Sequence, residues 1–589
     1  MANQSKSVEL FDAKAIAPFF ESKSLAVIGA STDPIKQGGR PVRYSLMSDY
    51  NGRVYPINPR ADEVQGAKAY ASLADVPGRV DCAFIALPAP AVEAAITDCA
   101  EKGVRAAVII SAGFAEVGPE GRRHQERITA IAREAGMSLV GPNCMGLMDI
   151  RRNFFPTFAP IFGFNGEARP KPGNISLVSQ SGAFGAHAYE LVRARGAGFS
   201  KWVTTGNQCD VEVSDFVAYM ADDKSTDVIM VYFEGNRDAD KLMAAFRKAR
   251  ENGKPVVLLK AGRSETGVKA AVSHTGSMAG SDAAFDGFCR QFDVHRADTV
   301  GELIDISVAA AAGKFPSRPR AGLVSISGGA GALMADYCDE LGLAVPPLPK
   351  PAQAKLMKLF PFGSALNPID PTALWGQDMS VLSASMETLL KEGGHDTVVL
   401  FGSTIGINEF NRVRFEEHII PLREKYPNPL MVLSLLGAPE LIQKWRDKGF
   451  LIYEDARRAI EVTAALAKFA PIVAGSRKFP ARPRVPENLK IKPGRTFNEA
   501  DAMGALQKAG IKFVRRRLAT SRKAAQDAAA RLGFPVVAKI ASAEILHKSE
   551  IGGVALGLEN KRAVGEAYDG LLGRAKRAAP KAALDGVLI

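Results

Sequence analysis

One unit recurs along this 589-residue chain: a short β-branched run, a turn rich in Gly, Ser or Asn, then a stretch with helix-like spacing. It recurs as SLAVIGAS, RVYPINPR, CAFIALPAP, AAVIISAGF and MSLVGPNC before residue 145. Short runs that are apolar on both faces and alternate with helices predict parallel strands covered on either side. The same grammar restarts at NISLVSQSGA (174–183) and continues through VIMVYFEGN and PVVLLKAGR. It restarts again at AGLVSISGGAG (321–331), continues through TVVLFGSTIG and LMVLSLLGA, and ends near Ala470. Three successive α/β domains are therefore expected, with cuts near 150–170 and 315–320. After the Pro/Arg stretch RKFPARPRVPENLKIKPGR (477–495) the pattern changes. A helix, then KFVRRRLATS, then a strand at FPVVAKIA (534–541) and a strand-like ending at GVLI predict a small fourth domain that breaks off in mid-pattern.

Composition narrows the class. Hydrophobic residues at 47% and charged residues at 23% are those of a soluble globular protein. No run of 18 apolar residues is present, so no membrane span is expected, and the N-terminus lacks the layout of a secretory signal. Six scattered cysteines without CxxC spacing predict reduced thiols in a cytoplasm, not a disulfide framework or zinc site. The net charge of +12 is spread along the chain and through linkers such as KFPSRPRAG, so a small polyanionic ligand accounts for it and nucleic acid is not expected.

The turns carry the chemistry. VIGASTDPIKQGG (27–39) puts Gly29 at a tight turn, with Gly38 and Gly39 further on around Ser31 and Lys36, a layout that presents N–H groups to phosphate. The spacing is not GxGxxG, and Asn58 and Arg60 of PINPR stand where an NAD enzyme carries an acid. CoA, with its pyrophosphate and ribose phosphate, suits this acid-free turn better; NADP held by Arg60, or no ligand at all, are the alternatives. In SQSGAFG (179–185), Ser179, Ser181 and the N–H groups near Gly182 are placed to hold phosphate or carboxylate, or to serve as a plain helix cap. GPNCMG (141–146) offers Cys144 as a thiol nucleophile or as a small buried residue. Glu234 ends the strand in VYFEG, at the edge where parallel sheets meet ligands; it is placed to orient a histidine or simply to face solvent. His274 sits in SHTGSMAG among small polar residues that favour exposed N–H groups, so it is either a nucleophile or an ordinary loop histidine. VVAKIASAEILHKSEIGGV (536–554) sets Lys539 on a strand, as a phosphate ligand or a solvent-facing lysine, followed by His547 and Lys548.

Taken in order, VIGAS…GG, PINPR, SAGFAE, GPNCMG, SQSGA, TGNQCDVEVSDF, YFEG, SHTGSMAG, SGGAG with NPID, and AKIASAEILHKSEIGGV resemble the NDP-forming acyl-CoA synthetases, relatives of succinyl-CoA synthetase. The resemblance runs from about residue 10 to 589. It implies an α/β chain with a Rossmann-like CoA-binding domain (10–150), a flavodoxin-like domain carrying a phosphohistidine (165–315), and a second flavodoxin-like domain (318–472). A linker (473–495) and the first part of an ATP-grasp domain (496–589) follow. The implied reaction turns a carboxylate, CoA and ATP into acyl-CoA, ADP and phosphate through acyl phosphate and phosphohistidine. His274 takes the phosphoryl group, Glu234 orients it, and His547 is a second phosphoryl acceptor. Gly29, Ser31, Lys36, Gly38, Asn58 and Arg60 are expected at CoA, and Lys539 at nucleotide phosphate. Asn143, Ser179, Gln180, Ser181, Gly182, Thr275 and Gly276 are expected around the substrate and phosphate. No metal ligand is identifiable, since the residues that hold Mg²⁺ are expected beyond Ile589. A cytoplasmic homodimer with no nucleic acid or membrane partner completes the expectation. Met145, Phe114, Phe184 and Cys144 lie in segments able to line an acid pocket, which leaves medium or aromatic acids open. A CoA-binding regulatory protein with an incomplete ATP-grasp half, and an NADP-dependent oxidoreductase, are the rival functions.

Overall fold

The computed structural model describes residues 10–162, 169–235, 237–267, 282–475 and 496–589. They fall into two compact units, Met1–Lys478 and Phe479–Ile589.

Three large sheets form the frame of the first unit, beside a two-stranded one of Glu63–Val64 and Ala67–Lys68. Ser24–Ile28, Cys82–Ile85, Ala106–Ile109 and Ser138–Val140 are buried along their whole length, which is why these apolar runs pair in parallel in the interior. With Arg53–Ile57 at one edge the first sheet reads 2-1-3-4-5 in chain order. The direction of winding reverses between Ser24–Ile28 and Cys82–Ile85, so the crevice of this sheet opens where Gly29 leaves the first strand.

The second sheet repeats that order. Pro172–Ser179, Phe199–Thr204, Val228–Phe233, Val256–Lys260 and His295–Ala297 are parallel, and winding reverses between Pro172–Ser179 and Val228–Phe233. Leu147–Asp149, which follows the last strand of the first sheet, pairs antiparallel with Phe199–Thr204 and so belongs to the second. Within Phe199–Thr204, Lys201 interrupts the apolar run. It is nevertheless buried, with its ammonium 2.8 Å from Asp223 and 3.4 Å from Asp149. A buried lysine is tolerable because both carboxylates face it.

The third sheet holds Gly322–Ser325, Thr397–Gly406, Leu430–Gly437 and Leu451–Tyr453, all parallel. It shares a core with the second: Leu177, Trp202 and Met230 lie in one cluster with Leu323, Met334, Leu466 and Phe469. Each such buried side chain contributes roughly 1.5–3 kcal/mol. Buried Asp305 adds a polar tie, accepting from Arg195 Nε at 2.6 Å and from Arg458 Nε at 2.8 Å.

In the second unit an antiparallel sheet runs Leu518–Ala519, Gly586–Leu588, Val536–Ala541, Val554–Leu558. Helices Arg522–Leu532 and Lys561–Ala578 cover one face through Ala525, Ala529, Val564 and Leu571, which meet Ala538 and Ile540. Lys539 alternates with those strand residues and so stands on the opposite face. Among the described residues no helix is long and apolar enough to cross a membrane.

Candidate functional site

At the first crevice, Gly29 leaves its strand with φ +85°, and a Cβ there would lie 2.4 Å from the Ala86 carbonyl oxygen. A Cβ on Gly38 would lie 2.1 Å from the carbonyl oxygen of Gly29. The turn is thus folded onto itself, and side chains at these two positions would force it open. Gln65 closes it from outside, its amide donating to the carbonyls of Ser31 and Gly39 at 3.0 Å each. Ser31 Oγ accepts from Asp33 N at 3.1 Å. Asn58 donates to the Ala30 carbonyl at 2.9 Å and accepts from Arg60 N at 2.9 Å, so both ends of its amide are spent shaping the turn. Lys36 and Arg60 are exposed.

The second crevice lies at the winding reversal of the second sheet. Pro172–Ser179 and Val228–Phe233 lie side by side, and their ends deliver Gln180 and Glu234 to the same place. Gln180 is buried and clamps the other strand's exit. Its Oε1 accepts from the N–H groups of Glu234 and Gly235, the latter at 3.1 Å, and its Nε2 donates to the Gly235 carbonyl at 2.7 Å. Ser179 Oγ donates to the Ser181 carbonyl at 2.7 Å. Ser181 caps the helix Gly182–Ala194, accepting from Phe184 N at 3.3 Å, so the positive end of that helix opens beside Glu234. Gly182 is required by packing: a Cβ there would lie 2.5 Å from Met145 Cγ. Phe184 stacks on Tyr232 with ring centroids 3.9 Å apart. Met145 and Phe184 are half-buried, whereas Phe114 and Cys144 are buried. Burial pushes the Cys144 thiol up to about 12, and its Sγ donates to the Ile109 carbonyl at 3.4 Å, so it is no thiolate nucleophile. His274, Thr275 and Gly276 lie outside the described residues.

A carboxylate joins the two crevices. Glu116, at the end of SAGFAE, accepts through Oε1 from Gly113 N at 2.6 Å and Phe114 N at 3.2 Å. Its Oε2 accepts from the side chain of Asn207, which also donates to Gln125 Oε1 at 3.0 Å and lies 3.5 Å from Asn143 Nδ2. Burial alone would raise the Glu116 carboxyl, but the bonds from Asn207, Gly113 and Phe114 hold it below the usual carboxylate range. Arg237, just past Glu234, donates to the Asn207 carbonyl at 3.3 Å. Four loops from two sheets are thereby fastened around one ionised group. The motifs SAGFAE and TGNQCDVEVSDF hold Glu116 and Asn207, yet sequence reasoning singles out neither residue; the acid closing SAGFAE is the available signal.

The second unit has its own pocket, about 440 Å³, lined by Glu499, Lys539, Leu546, His547, Lys548, Ser549, Glu550 and Val554. Lys539 and Lys548 both donate to Glu499, at 2.9 Å to Oε1 and 2.6 Å to Oε2. Burial raises the Glu499 carboxyl, and the two lysines more than offset it, keeping it ionised. His547 is 79% exposed, with Nδ1 3.7 Å from Glu550. Among the described residues no group of three or more His, Cys, Asp or Glu side chains is placed to hold a metal ion.

These features coincide with what the chain resembles. Residues 23–149 match the CoA binding domain family, 172–310 the succinyl-CoA ligase like flavodoxin domain, and 490–589 the ATP-grasp domain. The 4-hydroxybutyrate–CoA ligase [ADP-forming] of Nitrosopumilus maritimus is 32% identical over 587 residues, covering 97% of this chain and 82% of that protein. The chain belongs to the ADP-forming acyl-CoA synthetase family. Acetate–CoA ligase [ADP-forming] I of Archaeoglobus fulgidus is likewise 32% identical, over 97% of this chain and 82% of its own length. Among solved structures, the dinucleotide forming acetyl-coenzyme A synthetase 1 of Ca. Korarchaeum cryptofilum, in complex with phosphate and ADP, superimposes with a TM-score of 0.70 at 29% identity. That match covers 79% of this chain and 98% of the other. This synthetase therefore has the α/β architecture expected of it, with CoA-binding, flavodoxin-like and ATP-grasp parts in the order of the family.

Proposed function

We propose that this synthetase joins a carboxylic acid to CoA at the expense of ATP, releasing ADP and phosphate. The observation that carries this reading is the second crevice, where Gln180 and Glu234 converge at the winding reversal of a sheet matched to the succinyl-CoA ligase family. The two relatives that are ADP-forming ligases for acetate and 4-hydroxybutyrate support it.

In this reading His274 accepts a phosphoryl group, and Glu234 takes a hydrogen bond from its other ring nitrogen and steadies the ring cation. The phosphoryl passes to a carboxylate oxygen, forming an acyl phosphate. The CoA sulfur then attacks the acyl carbon, the carbon–oxygen bond breaks, and phosphate leaves. In the same reading Ser181 and Gly182, at the start of their helix, hold phosphate, assisted by Ser179, Thr275 and Gly276. Gln180 fixes the carrier strand of Glu234, and Asn143 supports the wall between the crevices through Asn207. CoA phosphates lie over the Gly29–Gly38 turn, met by Lys36 and Arg60, while Ser31 and Asn58 keep the turn in shape. Lys539 meets nucleotide phosphate, and exposed His547 relays the phosphoryl group.

All six cysteines are buried and free, which supports a reducing, cytoplasmic setting. Assembly as a homodimer belongs to the same reading, and the mass in solution tests it. The function is tested by incubating the full protein with radiolabelled ATP, CoA and a panel of carboxylates. Acid-dependent acyl-CoA formation with stoichiometric ADP and an acid-labile phosphoenzyme is expected. Binding of CoA without turnover or labelling would favour a regulatory role instead.

A further inference from the structure

Nothing in the proposed reaction requires Glu499, yet it lines the nucleotide-side pocket and pairs with both of its lysines. It stands at the start of helix Glu499–Lys508, whose cap, Asn498, accepts from Asp501 N at 2.8 Å and donates to Asp585 at 2.8 Å. The backbone there is anchored twice, so Glu499 is held at the pocket wall. Two ammonium groups reach it from different elements, Lys539 from a strand and Lys548 from the turn after His547. Both form the short ion pairs that a phosphate oxygen would otherwise form with them. The remaining acid of the pocket, Glu550, is exposed and faces His547.

We propose that Glu499 is a resident anion that competes with nucleotide phosphate for Lys539 and Lys548, and so sets how readily nucleotide leaves. The inference rests on the reading that Lys539 meets nucleotide phosphate. An incoming phosphate meets a carboxylate already seated on both lysines, and like charges repel at that range. Glu499 must yield at least one lysine when nucleotide binds, and it retakes that lysine as nucleotide departs. The pocket is thereby tuned for exchange, with tight retention traded away. A phosphoryl group seated on His547 would be subject to the same competition.

The test is a calorimetric titration of ADP, and separately of inorganic triphosphate, into the full protein and its Glu499→Gln variant. Glutamine keeps the shape and one hydrogen-bond acceptor and removes only the charge. ADP is expected to bind the variant about tenfold more tightly. The variant's kcat is expected to fall as ADP release slows, with KM for CoA unchanged. Equal or weaker binding by Glu499→Gln overturns the proposal and makes Glu499 a structural tether. A wild-type protein that binds neither probe overturns the nucleotide reading itself, a result distinct from the former. If Glu499→Gln does not fold, Glu499→Asp serves: its shorter side chain spans only one lysine, and a tightening of about threefold is expected. No tightening with aspartate again overturns the proposal.

Discussion

The crevice at Gln180 and Glu234 and the pocket at Lys539 and Lys548 are both assigned to phosphoryl groups, but they are built by opposite means. The first is set by backbone: two neighbouring strands deliver the residues, and a neutral buried amide locks the exit of one to the other. The second is set by charge: long flexible lysines converge on a single carboxylate, beside a histidine that is 79% exposed. A backbone-built site holds its geometry with or without ligand, which suits the step where bonds form. A charge-built site rearranges when an anion arrives, which suits loading and release.

Substitutions sharpen that contrast. The largest effect belongs to His274→Ala, which should abolish acyl-CoA formation and phosphoenzyme labelling, because no other side chain of SHTGSMAG is a comparable nucleophile. Activity near wild type in that variant would falsify the phosphohistidine route. Next comes Glu234→Gln, expected to lower kcat by about 10² through loss of the charge that steadies the ring cation, with KM for CoA little changed. Gln180→Leu keeps the volume of the clamp but none of its hydrogen bonds. It should lower kcat by about tenfold if backbone geometry governs the crevice, and an unchanged kcat would erase the contrast between the two sites.

A smaller effect is expected in the pH dependence of stability. Glu116 has a depressed folded-state pKa, so its contribution is present above the unfolded value of about 4.3 and is lost as pH falls through the folded value. Scanning calorimetry should show Glu116→Gln melting roughly 2 °C below wild type at neutral pH. The gap should close as the solution is acidified below about 4. A gap that persists in acid would mean that shape, not charge, fastens these loops.

Much of the architecture is legible in the order of the residues. AAVIISAGF and PVVLLKAGR read as buried strands and are buried strands, because burial on both faces demands uninterrupted apolar side chains. Phe199–Thr204 does not stand out as a strand because Lys201 breaks its pattern, and only the placement of Asp149 and Asp223 makes that lysine tolerable. Asn58 is expected at a cofactor by its position after the second strand; its bonds to Ala30 and Arg60 show how an amide there also builds the turn. Glu116 and Glu499 do not stand out as single acids, since an acid's role depends on what faces it.

Sequence by itself determined the local features: strand runs, the glycines at 29 and 38, the serine cap at 181, and the order of the motifs. These depend on side-chain periodicity, backbone sterics and hydrogen bonds within a few residues, all of which are written in neighbouring positions. Tertiary structure alone decided which of these distant pieces meet. Asn207 reaches Glu116 across 91 positions, and Lys548 reaches Glu499 across 49. Strand order and crossover packing close such distances. The charge state of each acid then follows from its burial and its donors, and these exist only once the chain is folded.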